Sequence, residues 1–479
     1  MTVLHKNFFI GGQSLSVETG DRIKVYNPAR DTVLAEIPDT PADMVDRAVQ
    51  AAKKAQKSWA KLPAIQRANA LRRISAKIRE NADKIAHVIS EEQGKILPLA
   101  KVEAAFTADY LDYMAEWARR IEGEILESDR PSETILFFRQ PIGVVAGVLP
   151  WNFPFFLIAR KLGPALVCGN SIVIKPSEET PNNAALFVDL LNGLDIPDGV
   201  INFVHGSGRT TGDALCSHPD VGLISFTGSV TTGSAIMKAA AKNITKVNLE
   251  LGGKAPAIVC KDADIAQAAK FVAASRTLNT GQVCNAAERV YVERPIADKF
   301  VSALADSMKA TRFGDPLGGK EIDMGPLINK AGLQKIEDLV ESAKKQGAEV
   351  VTGGKVANLG AGNHYEPTVL INCRQDMDIM RKEIFGPVLP VNVVENLDQA
   401  IELANDSEYG LTSSIYTNDI RTAMKACNEL TFGETYVNRE NFEAMQGFHA
   451  GNRKSGIGGA DGKHGLLEYT TTHICYIQT

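Results

Sequence analysis

Short apolar runs, mostly β-branched, recur along the middle of the chain at Gly143–Leu149, Ser171–Ile174, Val200–Val204 and Val221–Phe226, each bounded by Gly, Pro or Asn. Helical stretches separate them. The one from Thr180-Pro181 to Leu194 opens with a capping residue followed by proline at the first helical position. Strands that alternate with helices make a parallel sheet with crossover connections, the doubly wound class. A second series starts near Ala255, with strands expected at Ala257–Cys260, Arg289–Val292, Val388–Val394 and Ser413–Tyr416. The expected fold is therefore α/β, with two doubly wound domains in tandem, and 479 residues is too long a chain for one core.

Upstream, Thr40 to about Glu124 reads as helical. Thr40-Pro41 supplies a cap, and apolar stripes run through Met44, Ala48, Ala51 and Ala55, then Leu71, Ile74 and Ile78, then Leu111, Met114 and Trp117. Two segments, Glu127–Arg139 and Thr471–Gln478, fit neither sheet and read as isolated ribbons. Unpaired strands at a periphery tend to be covered, and strand addition between subunits would satisfy them. A homo-oligomer is expected.

Several function classes fall away. The uncharged span Pro141–Ala159 is interrupted by Pro150, Asn152 and Pro154, so it reads as a buried strand, a loop and a helix start rather than a membrane span. A net charge of −5 offers no basic surface for nucleic acid. Met1–Ile10 lacks the apolar core of a signal peptide. Seven cysteines are scattered singly with no Cys-x-x-Cys spacing, which speaks against a metal site and a disulfide framework, and for a reducing compartment. The cytoplasm is the expected location.

Three polar segments carry candidate chemistry. In Gly281-Gln282-Val283-Cys284-Asn285 a cysteine follows a glycine turn among polar neighbours, as a nucleophile does, although burial as a small hydrophobe is the commoner fate of a cysteine. Glu250 follows the alternating stretch Ile244–Leu249 and precedes two glycines, a place for a general base, although a solvated surface carboxylate is the commoner fate of such a residue. Asn152, held between Pro150 and Pro154, suits an oxyanion donor or a tight turn equally. Two glycine-rich turns compete for a dinucleotide: Gly206–Gly212, whose last glycine comes one place late for the Rossmann fingerprint, and Phe226–Gly233, which opens a helix.

Taken together, PWNFP at Asn152, IKPSE at Lys175, FTGS at Phe226, ELGGK at Glu250, GQVC at Cys284 and EIFGPV at Glu383 resemble the aldehyde dehydrogenase superfamily in order and spacing, over essentially the whole chain. The resemblance implies the aldehyde dehydrogenase fold. It has an NAD-binding domain (1–122 plus 143–250), a catalytic domain (251–450) and a small β oligomerisation arm (123–142 plus 466–479), assembled as a dimer or tetramer. It implies Cys284 as nucleophile, Asn152 as oxyanion donor and Glu250 as the base that hydrolyses a thioester. It also implies cofactor contacts at Lys175, Ser177, Glu178, Gly212, Phe226, Gly228, Ser229, Leu251, Glu383 and Phe385. A carboxylate at Glu178 would repel a 2′-phosphate, so NAD is expected over NADP.

Where many of these enzymes line the substrate tunnel with aromatics, this chain has Arg160 and His449, and Asn285 and Glu443 are expected to join them as substrate-binding groups. Polar groups in an apolar tunnel favour a substrate that hydrogen-bonds to them. FTADYLDYMAEWARR, GETYVNRENFEAMQGFHAG and RKSGIGGADGKHG further resemble the bacterial branch of the family that oxidises lactaldehyde and glycolaldehyde, apart from Asn452 where that branch has an aromatic residue. The expected substrate is a short 2-hydroxyaldehyde. Succinic semialdehyde, acyl transfer to CoA and a catalytically silent binding protein on the same fold are the competing readings.

Overall fold

The structure is a computed structural model describing residues 8–16 and 21–479. The reading of Met1–Ile10 as lacking the apolar core of a signal peptide lies largely, at 1–7, outside the described residues. Five parallel strands form the centre of the first sheet, in the order Lys246–Glu250, Leu223–Thr227, Val144–Val148, Ser171–Lys175, Ile201–Phe203. Antiparallel strands flank them, Gly456–Ile457 at one edge and Phe8–Ile10 with Gln13–Leu15 at the other. Every residue of Val144–Val148 and Ser171–Lys175 is buried, which is why those strands read as unbroken apolar runs: helices cover both faces. The crossover helix Phe156–Val167 is itself buried at every position, covered by Ala64–Glu80 and Leu97–Glu116 of the N-terminal helical layer.

From Val144–Val148 the chain winds outward through two strands, then returns to add Leu223–Thr227 on the other side. The winding direction thus reverses between these two neighbours, and in open α/β sheets such a reversal opens a crevice beyond the C-terminal strand ends. Asn152 and Ser229 lie just past those ends.

The second sheet runs Thr368–Ile371, Val388–Val394, Arg289–Glu293, Pro256–Val259, Thr412–Tyr416, Glu434–Val437, all parallel, with Glu349–Thr352 antiparallel at one edge. A third, three-stranded sheet corrects the expectation of two orphan ribbons. Glu133–Pro141 pairs with Thr470–Gln478 along its whole length and with Glu124–Glu127 on its other side, so the two ribbons are partners of each other.

Other local expectations shift for identifiable reasons. Thr40 does not cap the helix Ala42–Trp59, whose N-cap is Pro41; the Thr40 hydroxyl donates instead to the His205 carbonyl. Thr180 occupies the N-cap of Pro181–Leu191 but makes no side-chain cap. The Glu92 carboxylate accepts from the Asn182 and Asn183 N–H groups there, at 2.9 and 2.8 Å. The strand before Glu250 starts at Lys246 rather than Ile244, because Ile244 turns with φ +55°. The uncharged span at 141–159 divides into a strand, a loop and a helix start, and no helix among the described residues is long and apolar enough to cross a membrane.

Candidate active site

Cys284 sits on the loop joining helix Ile265–Thr277 to strand Arg289–Glu293. Asn279, Thr280 and Gly281 precede it, all left-handed at φ 48°, 62° and 73°. A non-glycine residue in that region carries strain on the order of 1–3 kcal/mol, so neighbouring groups must hold the turn. The Thr280 hydroxyl donates to Gly325 O at 3.0 Å, the Gln282 amide donates to Asn279 O at 3.1 Å, and Gln282 Oε1 accepts from Ile328 N at 2.9 Å. Gly281 is required there, since a Cβ would come within 2.4 Å of Gly386 O. The result is a partly exposed thiol, whereas Cys168, Cys216, Cys260 and Cys373 are buried and burial pushes each thiol up to about 12. Those four are inert packing, whereas the Cys284 thiol is accessible.

Asn152 is fixed from three sides. Its carbonyl accepts from Lys95 Nζ at 2.9 Å and from Asn279 Nδ2 at 3.0 Å, and its own Nδ2 donates one hydrogen to Gln282 O at 3.0 Å. Lys95 pairs in turn with Glu103, both side chains wholly buried, and Glu103 Oε1 accepts from Phe155 and Phe156 N–H. Asn152 and Cys284 line the same two cavities.

Glu250 ends its strand 2% exposed, with neither carboxylate oxygen hydrogen-bonded. Burial pushes its pKa up to about 7, against the lowering influence of His449, Arg160 and Lys161. A carboxyl tuned to neutral pH is what general-base chemistry needs. The glycines that follow are explained by proximity. A Cβ on Gly252 would meet Glu383 Oε1 at 2.6 Å, and one on Gly253 would meet Cys284 O at 2.6 Å.

Two cavities, of 320 and 200 Å³, meet at Asn152, Thr227 and Cys284. The larger contains Glu250, Arg160, Asn285, Glu443 and His449; the smaller is walled by Trp151, Gly228, Ser229, Leu251, Glu383 and Phe385. The smaller wall is rigidly held. Although burial opposes it, Lys254 and Arg276 keep the Glu288 carboxyl at about 2, and Glu288 accepts from Ile384 N at 2.8 Å and Phe385 N at 3.0 Å. The Thr227 hydroxyl is buried there with no protein partner. A polar atom so placed, a half-buried carboxylate at Glu383 and the crevice at the winding reversal all fit a dinucleotide.

The other expected cofactor residues gather along the same sheet edge. Lys175 Nζ lies 3.3 Å from the half-exposed Glu178, Gly212 lies against the Lys175 side chain, and the Ser177 hydroxyl accepts from Glu179 N. Ser229 is the N-cap of helix Val230–Ala241, its hydroxyl accepting from Thr232 N at 3.2 Å. Phe226 is a core residue: its ring is 4% exposed and packs against Gly228.

Arg160 lines the larger cavity and is ion-paired within it. Its Nε donates to Asp461 Oδ1 at 3.0 Å, its Nη2 pairs with Asp461 Oδ2, and Glu443 Oε1 stands 3.3 Å away. Asn285 donates to the other Glu443 oxygen, and His449 Nδ1 lies 2.9 Å from Glu434. Sequence reasoning missed Asp461, Glu434, Lys161 and Thr227. An aspartate between glycines in GGADGKHG was the available hint for Asp461.

A family model described as "Aldehyde dehydrogenase family" matches residues 16–475. The chain is 57% identical over 471 residues to lactaldehyde dehydrogenase of Escherichia coli strain K12, covering 98% of each protein. A crystal structure of that Escherichia coli enzyme superposes with a TM-score of 0.97, covering 99% of each chain at 57% identity. The structure of a 3,6-anhydro-L-galactose dehydrogenase in complex with NAP superposes at 0.96, with 43% identity and coverage of 98% and 99%.

Proposed function

The chain belongs to the aldehyde dehydrogenase family, and from that premise we propose that it oxidises a short 2-hydroxyaldehyde with NAD, L-lactaldehyde to L-lactate foremost and glycolaldehyde to glycolate besides. One observation carries the reading: Cys284 stands where two cavities meet, with the Asn152 amide on one side and the Glu250 carboxylate in the larger chamber. The Cys284 sulfur attacks the aldehyde carbon, and the carbonyl oxygen takes up the negative charge opposite the Asn152 Nδ2–H and the Cys284 backbone N–H. Glu383 and Phe385 would hold a dinucleotide in the smaller cavity, and bound there it would supply the acceptor for the hydride that leaves that carbon. A thioester remains on Cys284. Glu250 then removes a proton from water, the water oxygen adds to the thioester carbon, and the C–S bond breaks to release the acid and return the thiolate.

Glu178 supports NAD over NADP, because its half-exposed carboxylate would face a 2′-phosphate across the ribose. The substrate follows from the chamber's polar rim and from the lactaldehyde dehydrogenase relative. Arg160 is already neutralised by Asp461, and Glu443 adds negative charge, so a carboxylated aldehyde such as succinic semialdehyde fits poorly. Glu250 favours water over CoA as the acceptor of the acyl group. Free edges and exposed apolar side chains on the third sheet, Ile125, Phe138 and Tyr476 among them, support assembly into a dimer or tetramer. Seven free cysteines accord with the cytoplasm.

The test is NADH formation from lactaldehyde, glycolaldehyde, acetaldehyde and succinic semialdehyde, with and without CoA. The highest kcat/KM is expected for lactaldehyde, independent of CoA. A higher value for succinic semialdehyde would overturn the substrate, and no NADH from any aldehyde would favour a silent binding protein.

A further inference from the structure

His449 is 1% exposed and locked in place, its backbone N–H and carbonyl both bonded to Ala460 at 2.9 and 2.8 Å. The ring lies between two carboxylates. Nδ1 is 2.9 Å from Glu434 Oε1, and Nε2 is 3.5 Å from Glu250 Oε2. Tyr436 OH donates to the second Glu434 oxygen, which fixes that carboxylate behind the imidazole. A neutral imidazole carries one N–H and one lone pair, so one of its nitrogens would turn a lone pair on a carboxylate oxygen. The Nε2–Glu250 contact is an ion-pair distance rather than a hydrogen bond, and only the doubly protonated ring turns positive charge toward both carboxylates.

We propose that His449 is an imidazolium at neutral pH, oriented by Glu434, and that its positive charge favours the ionised form of Glu250, the hydrolytic base. Glu434 and His449 are then positioning residues of the step that releases the acid. The proposal rests on the reading of Glu250 as the base.

The groups facing the ring from every side bear on this charge. Glu434 and Tyr436 come from one strand of the second sheet, Glu250 from the end of a strand of the first, Arg160 from the helix Phe156–Val167, Glu443 from the loop after the second sheet, and Cys284 from the nucleophile loop. Burial and Arg160 work against the imidazolium, while Glu443, Cys284 and Glu434 together hold its pKa well above the usual histidine value. Around Glu250, Lys161 adds positive charge and Asp461 negative charge. The sequence marks the device only weakly, since Glu434 and His449 stand 15 residues apart in an irregular stretch.

Two measurements on the full-length protein test it. In ¹⁵N-histidine spectra, with His449→Phe used for assignment, both ring nitrogens of His449 are expected to stay protonated through pH 8, and Glu434→Gln is expected to bring its titration below that. With lactaldehyde and NAD, the acidic limb of kcat in Glu434→Gln is expected to move upward by about one pH unit, the low end of what an opposite charge within 4–6 Å does to a carboxylate. The amplitude of the first-turnover NADH burst is expected to stay unchanged. A neutral His449 ring at pH 7, or an unshifted limb in the folded variant, overturns the proposal. A wild-type protein that makes no NADH from any aldehyde sinks the dehydrogenase reading itself, which is a different result from an active enzyme with an unshifted limb.

Discussion

Replacing Glu250 with glutamine should inactivate the protein and stabilise it at once, by an amount that depends on pH. Glu250 is fully enclosed and neither oxygen has a hydrogen-bond partner, so an amide of the same shape loses no bond. Burial has raised the carboxyl from 4.5 to about 7. The folded protein therefore binds this proton more tightly than the unfolded chain does. Its contribution to stability is fully present below pH 4.5 and is lost as the pH climbs through 7. At about 1.4 kcal/mol per pH unit, the ionised side chain costs the folded state about 3 kcal/mol at pH 8. Glutamine removes that penalty. Glu250→Gln should thus unfold at higher temperature than the wild type at pH 8, with the gap closing to about 1 kcal/mol or less near pH 5. Paired thermal melts across that range give the comparison. In the same variant the first NADH burst should survive while steady turnover stops, because hydride leaves before water is needed. A variant less stable than wild type at pH 8, or a gap that ignores pH, would refute the assignment of burial as the cause of the shift.

The wild-type kcat should fall about tenfold per pH unit below about 7, read from NADH production in a constant-ionic-strength buffer series. Cys284→Ala should abolish oxidation while nucleotide binding, followed by quenching of protein fluorescence, persists; retained turnover would remove the nucleophile. Glu178→Ala should raise kcat/KM with NADP by roughly tenfold or more, as expected for deleting one charge beside a phosphate. Arg160→Leu should destabilise the fold by about 3–5 kcal/mol by stranding Asp461, whereas the Arg160→Leu, Asp461→Leu double variant should recover most of that loss, as chemical denaturation would show.

The strands were legible because both large sheets are covered on two faces, so their central members are unbroken apolar runs that periodicity detects without help. The winding reversal that opens the crevice was not legible, since strand order is a long-range property that no local pattern encodes. Cys284, Glu250 and Asn152 stood out as polar groups set against glycine or proline, where the backbone must turn tightly or approach a neighbour closely. Their supports did not. Asp461 meets Arg160 across 301 residues and Glu103 meets Phe155 across 52, and an ion pair closed by tertiary packing leaves no mark at either end of the chain. For the same reason the partner of Arg160 could not be named from the sequence. The two peripheral ribbons looked orphaned because they lie far apart in sequence, although each is the other's neighbour.

The meeting of two chambers at a single sulfur has a kinetic consequence. The two chambers share only Asn152, Thr227 and Cys284 of their walls, so an acid leaving the larger one need not displace the nucleotide from the smaller. Product acid should therefore compete with aldehyde but not with NAD, and turnover need not wait on a fixed queue of arrivals and exits.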